Sequence, residues 1–261
     1  MCIRDSLEVY NKSDVLILAD VFENFRDLCM KEYKLDSAWY YTTPGIAMDA
    51  ALTYNKVRLE LLSDVDIHQM VQTGITGGVC LAQNRYAKAN NKHIKASYNP
   101  SMISSTFVIY LDANNLYGYA MCLPLPTHGF EWMSETELVD WRNMPEGEGC
   151  ILEVDLEYDK ELHDLHNDYP LAPENIILPD SKVKKLLPNL NNKENYVVHH
   201  QTLKQYESLG LKVTKVHRAI KFYESPWLKP YIDKNSELRT KATNAFEKDF
   251  FKLINVKKQS L

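Results

Sequence analysis

The chain reads as a mixed α+β protein, and three patterns carry that reading. Near the start, Val15, Leu18, Phe22, Phe25 and Cys29 recur at helical spacing and form an apolar stripe. Past the middle, Cys150-Ile-Leu-Glu-Val-Asp-Leu156 alternates as a half-buried strand does. Two further strand patterns, 195–199 and 212–222, flank a helical stretch, 201–209, that puts Leu203, Tyr206 and Leu209 on one face and stops at Gly210.

The remaining elements follow in order. The first helix opens at Tyr10-Asn-Lys-Ser-Asp14, where residues four apart share a face, so Tyr10 and Asp14 point the same way. A helical stretch over 64–72 leads to Gly74-Ile-Thr-Gly77-Gly78-Val79, whose adjacent glycines suit a turn or a close backbone approach. Residues 85–95 form a charged and polar run expected to be an exposed loop. Phe107-Val-Ile-Tyr-Leu-Asp112 predicts a buried strand ending in a carboxylate, and the turn after it carries Tyr117. An Asp that merely caps a turn after a core strand is the alternative for Asp112. Residues 132–141 suggest a short helix, and Asp168-Tyr-Pro-Leu-Ala-Pro-Glu174 a proline-punctuated turn. His199 and His200 read as a strand end. At the C-terminal end, 246–255 predicts a helix with Phe246, Phe250, Leu253 and Ile254 on one face and Lys248 and Lys252 one turn apart.

Size and composition bound the function. At 261 residues and 45% hydrophobic content the chain can bury a sizeable core. No apolar stretch approaches the roughly 20 residues of a membrane span, and residues 1–6 lack the apolar core of a signal peptide. A soluble, intracellular protein is expected, with nucleus and organelle indistinguishable. The five cysteines, Cys2, Cys29, Cys80, Cys122 and Cys150, show no zinc or disulfide spacing. The net charge of −5 argues against a non-specific coat on nucleic acid. Basic residues nevertheless gather beyond Ile232 (Lys234, Arg239, Lys241, Lys248, Lys252, Lys257, Lys258) and at Lys182, Lys184 and Lys185, with Lys193 beyond. Surface lysines are common enough that these groups decide nothing alone.

Four motifs in one order resemble the protein-primed family B DNA polymerases of organelles and viruses, including those of Polinton (Maverick) transposons. Asp112-Ala-Asn-Asn-Leu116-Tyr117-Gly resembles the first palm motif. Tyr10-x-x-x-Asp14 has the spacing of the third motif of a proofreading exonuclease. Gly77-Gly78 stands where the family has a Tyr-x-Gly-Gly loop, with Ile75 in place of the Tyr. The stretch ending in Lys252 is similar to the start of the fingers helix, although Val256 stands where that motif has Asn. The phrases Tyr-Val-Val-His199, Leu-Gly-Leu-Lys-Val-Thr-Lys-Val-His-Arg218 and Ser-Pro-Trp-Leu-Lys-Pro-Tyr-Ile-Asp233 look closely similar to Polinton polymerases.

That resemblance implies a fragment with residues 1–72 as the end of an exonuclease domain, 73–123 as linker loop and palm motif, 124–232 as an insertion lobe, and 233–261 as a truncated fingers helix. It implies template-directed addition of deoxynucleotides by a two-metal Mg²⁺ route. Asp112 would bridge both ions, and Asp14 would hold a metal in the exonuclease remnant while Tyr10 orients the attacking water. The backbone through Leu116 would cradle the triphosphate, Tyr117 would stack under its sugar, and Lys252, with Lys241 as a second contact, would meet its phosphates. Gly77 and Gly78 would contact template DNA. The implied partners are primer–template DNA, deoxynucleoside triphosphates and a priming terminal protein, and the lobe's Lys182, Lys184, Lys185, Lys215 and Arg218 would meet that protein or duplex phosphates. The second palm carboxylates do not follow, so a truncated or domesticated transposon remnant that only binds DNA or a partner is the alternative. A small metal-dependent nuclease using Asp14 and Asp112 is a third.

Overall fold

The computed structural model describes residues 3–82, 85–94, 98–102, 104–179 and 181–254; Cys2, Lys95, Asn255 and the residues after it lie outside them. Its elements in chain order are α1 (Ile3–Tyr33), α2 (Thr43–Asn55), α3 (Val65–Gly74), α4 (Leu116–Met121), β1 (Leu125–Trp132), α5 (Glu135–Val139), β2 (Glu148–Glu157), α6 (His163–His166), β3 (Glu174–Ile177), β4 (Lys184–Leu187), β5 (Lys193–His199), α7 (His200–Ser208), β6 (Lys212–Ser225), α8 (Lys229–Lys241) and α9 (Ala245–Ile254). They divide into two compact units: residues 1–60, 117–127 and 224–261 make one, and residues 61–116 and 128–223 the other.

The first unit is helical. No glycine or proline interrupts α1 for 31 residues, and it ends where Lys34 adopts a left-handed conformation and its N–H reaches the Met30 carbonyl. Thr42 caps α2, accepting from the Gly45 N–H, with Pro44 in the first turn. Small residues on α2, Ala47, Ala50 and Ala51, are fully buried and let neighbouring helices approach. They pack with Cys29 and Tyr33 of α1, Tyr231 and Ile232 of α8, and Phe250, Phe251 and Ile254 of α9. Phe25 meets Phe250 edge to face at 5.4 Å. The Tyr33 hydroxyl donates to buried Asn235, and Tyr231 donates to the Ile254 carbonyl.

Only the C-terminal part of the predicted α1 stripe is covered. Phe25 and Cys29 join the core, whereas Val15, Leu18 and Phe22 are exposed. Helical spacing identifies a face that can be buried, but a second surface must reach it. On α9 the buried set is Phe250, Phe251 and Ile254, with Phe246 and Leu253 exposed, so the face is rotated from the expected one.

The second unit is built on the four-stranded sheet β1-β6-β2-β5, and the division between units falls inside β1 and β6. β2 is antiparallel to both neighbours, with Leu152 opposite Val198 and Ala219. One face presents Cys150, Leu152, Val154 and Leu156 to Trp141 and to Leu203 of α7. The other carries Ile151, Val197 and Ile220, covered by Ile67 and Met70 of α3. A central strand covered on both faces holds its register strongly, because a one-residue slip would exchange the two faces. Asp64 caps α3 by accepting from the Asp66 and Ile67 N–H groups, and Ser134 with Glu137 forms a capping box on α5. β3 and β4 form a separate hairpin.

Several expectations for this unit need correction. Lys193 is fully buried and ion-paired with Glu174 at 3.0 Å, so it is not part of a surface basic group. Arg218 pairs with Glu153 and lies 5.2 Å over the Trp132 ring, with about half of its side chain still exposed. Trp132 ends β1 rather than starting a helix, and Leu209 is exposed rather than on the covering face of α7. The run 85–95 is not wholly exposed, since Ala89, Asn90 and Asn91 are buried.

Gly74, at the end of α3, runs so close to β5 that a Cβ there would stand 2.8 Å from Val197 Cγ1. A β-branched side chain in a strand has little rotamer freedom with which to yield. Gly74→Ala is therefore expected to cost about 1–3 kcal/mol, read as a lowered urea midpoint. Gly77→Ala should leave that midpoint in place, because nothing stands within 4 Å of a Cβ built there.

Candidate nucleotide and nucleic-acid site

Residues 107–112 are not a buried strand. Phe107, Val108, Ile109, Tyr110 and Leu111 are each 61–91% exposed, and the four-stranded sheet does not include them. Strand formation needs a neighbour to accept the backbone hydrogen bonds, and no described strand pairs with this segment. The apolar run recorded β propensity correctly but not a partner. After Asp112 the chain turns at Asn114 and Asn115, Asn115 adopting a left-handed φ of 51°, which Asn tolerates better than most residues. It then enters α4 with Leu116 and Tyr117, the latter 80% exposed. Asp112 thus ends an exposed, unpaired segment and precedes a turn into a helix.

Asp112, Leu116, Gly77 and Gly78 belong to the second unit, whereas Tyr117, Tyr10, Asp14, Lys241 and Lys252 belong to the first. Within the first, Tyr10 and Asp14 lie one turn apart on the exposed half of α1. Lys241, on the last turn of α8, is ion-paired with Glu237, whose carboxyl it holds below the usual carboxylate range. Lys252 is exposed on α9, beside the buried Phe250, Phe251 and Ile254. Within the second unit, Gly77 and Gly78 wall a cavity of about 190 Å³, together with Tyr169, Pro170, Pro173 and Tyr206 of the proline turn and α7. Neither glycine has a positive φ, so no special backbone conformation requires glycine at either position.

Among the described residues no group of three or more His, Cys, Asp or Glu side chains could hold a metal ion. A single carboxylate such as Asp112, or Asp14, falls short of the ligand set that a Mg²⁺ pair requires. The two-ion Mg²⁺ site therefore does not fit these residues by themselves.

Sequence reasoning missed a hydrogen-bonded loop just ahead of Asp112. Asn90 Nδ2 donates to the Asn99 carbonyl, and its Oδ1 accepts from the Asn99 N–H at 2.7 Å. The Asn90 N–H donates to Thr106 Oγ1, and the Thr106 N–H returns to the Asn90 carbonyl. Asn91 donates to the Thr106 carbonyl and accepts from the His93 N–H. The available signal was the Asn90-Asn91 pair, whose side chains imitate backbone hydrogen-bonding groups.

The sequence matches the family described as DNA polymerase type B, organellar and viral, over residues 2–255. The chain belongs to that family. The fold of this type B polymerase chain is similar to that of Phi29 DNA polymerase. Against that enzyme complexed with primer–template DNA in a post-translocation binary complex, the TM-score is 0.54 at 14% identity, covering 95% of this chain and 39% of the other. Against its ternary complex with primer–template DNA and incoming nucleotide substrates, the TM-score is 0.51 at 14% identity, covering 83% and 35%. The chain thus spans little more than a third of the length of the polymerases it resembles. No curated protein matches the sequence. Among the described residues, no helix of this polymerase chain is long and apolar enough to cross a membrane.

Proposed function

We propose that this chain is part of a protein-primed DNA polymerase that adds deoxynucleotides to a primer under template direction. The family match across residues 2–255 carries the reading. The turn that follows Asp112 and leads Leu116 and Tyr117 into α4 agrees with it. In this reading Asp112 supplies one carboxylate to the nucleotidyl-transfer centre. The backbone through Leu116 cradles the triphosphate, Tyr117 lies under the sugar, and Lys252 meets the phosphates. Lys241 is a second phosphate contact once released from Glu237. Gly77 and Gly78 face the template, and Tyr10 and Asp14 are what remains of an exonuclease motif. Residues 1–72, 73–123, 124–232 and 233–261 take the roles of exonuclease end, linker with palm motif, insertion lobe and fingers start. The lobe meets the terminal protein through Lys182, Lys184, Lys185 and Lys215.

Because Asp112 by itself does not make a metal site, the purified chain is expected to bind primer–template DNA with a salt-dependent affinity while neither extending the primer nor removing its 3′ nucleotide. Fluorescence anisotropy and a gel assay with Mg²⁺ and all four nucleotides read the two results. No binding to primer–template at low salt would overturn the polymerase reading. Mg²⁺-dependent extension that disappears in Asp112→Ala would show that the chain completes the metal site unaided.

A further inference from the structure

Between Asp66 and Asp112 the chain carries no acidic residue, although it holds 35 of them in 261 residues and a net charge of −5. The basic residues in that stretch are Arg85, Lys88, Lys92 and Lys95. Arg85, Lys88 and Lys92 are exposed. In the second unit Lys193, Lys212, Arg218 and Lys221 are each paired with a carboxylate, whereas among the described residues no ion pair neutralises these three, nor Lys184, Lys185 or Lys215. Tyr86, 81% exposed, sits between Arg85 and Lys88. Solvated lysines on a loop are ordinary, and an acidic chain usually intersperses them with acids. With every carboxylate absent from the stretch, its cations have no acidic neighbour in sequence, which suits a polyanion.

The surface is also held in place. Buried Asn90 and Asn91 stand in the chain between Lys88 and Lys92 and tie that point to Asn99 and Thr106. Ordering paid before binding is not charged again when a ligand arrives.

We propose that this asparagine-pinned loop is a contact surface for single-stranded nucleic acid, with Arg85, Lys88 and Lys92 on successive phosphates and Tyr86 stacked on an unpaired base. A basic surface alone serves duplex equally well; the exposed ring among the charges favours the single strand, where base faces are free to stack. The inference rests on the polymerase reading, in which an unpaired template strand must be held.

The test uses the full chain with a fluorescein-labelled oligo(dT) of about 20 nucleotides, longer than the roughly 4–16 nucleotides of known single-strand sites, and a duplex of equal length, each titrated across NaCl concentrations. Replacing the three cations together (Arg85→Ser, Lys88→Ser, Lys92→Ser) should weaken oligo(dT) binding by roughly tenfold or more. It should also lower the slope of log K against log salt by about two, since each phosphate on a single strand adds about 0.7. The charge-preserving set Arg85→Lys, Lys88→Arg, Lys92→Arg should restore the slope. Tyr86→Ser should weaken oligo(dT) at least fivefold and leave duplex binding unchanged. All variants should keep the wild-type melting temperature, because the replaced side chains face solvent. An unchanged slope in the triple-serine variant, an unaltered affinity for oligo(dT) in Tyr86→Ser, or wild-type binding to duplex alone would overturn the proposal. Primer–template binding would persist in each of those cases and leave the polymerase reading standing; loss of all nucleic-acid binding by the wild-type chain would remove both.

Discussion

Glu174→Ala should destabilise the second unit by about 3 kcal/mol, read as a lowered midpoint in urea unfolding. Lys193 has no solvent-exposed side-chain surface, and its ammonium is held by Glu174, by Asn189 Oδ1 and by the Asn189 carbonyl. Burial pushes its pKa down and the Glu174 carboxylate opposes that shift. Removing the carboxylate leaves a charge in a place where water cannot solvate it, which costs more than the pair contributes. The double change Glu174→Leu with Lys193→Met removes both charges and keeps the volume, so it should lie within about 1 kcal/mol of wild type. If both variants lose stability equally, the ion pair is adding net stability of its own and the desolvation account fails.

Acid should begin to weaken the second unit above the range in which ordinary carboxylates titrate. Burial, and then the neighbouring His200, push the His199 pKa down to about 4, and burial lowers His200 as well. His199 Nδ1 accepts from the Gln201 N–H at the start of α7, which suits the neutral ring, while His200 Nδ1 lies within hydrogen-bond reach of both the N–H and the carbonyl of Cys150. Below about pH 6.5 the unfolded chain takes up protons that the folded chain refuses, so stability falls with pH until the folded His199 also titrates near pH 4. That interval of about 2.5 units corresponds to about 3 kcal/mol for His199. The expected result is a decline in urea-unfolding free energy from pH 6.5 to pH 4.5. His199→Asn keeps a cap on Gln201 and should flatten much of that decline; an unchanged slope would assign it to other groups.

How much of this was legible depended on whether each signal was local. β2, β5, β6 and α7 were readable because alternation and the Gly210 stop are properties of the segment itself, and Gly210 adopts φ +105° as a stop requires. α1 was readable as a helix, but the exposure of Val15 and Leu18 depends on a surface outside the segment. β1 was hidden by Pro126 and Gly129, which break the strand pattern; Gly129 sits at φ +73°, where a Cβ would stand 2.7 Å from the Tyr223 ring. Lys193 could not be read as buried because its partners lie four residues away at Asn189 and nineteen away at Glu174. At the site, the turn after Asp112 was legible from the motif, since Asn115 names its own left-handed conformation, whereas the helix α4 that follows was not read. The pairing of residues 107–111 was not, because propensity describes one strand and a sheet needs two.

The first unit is assembled from three separated parts of the chain, and Phe25 finds its ring partner at Phe250. A ribosome working at about 5–20 residues per second takes roughly ten to forty-five seconds to pass from one to the other. For that time Phe25, Cys29 and Tyr33 exist without the α9 residues that complete their core. The nascent helix spends it as an amphipathic segment with a sticky face, long enough for holding chaperones to bind and release many times. Birth order, as much as final packing, decides when this half of the protein becomes safe from misassociation.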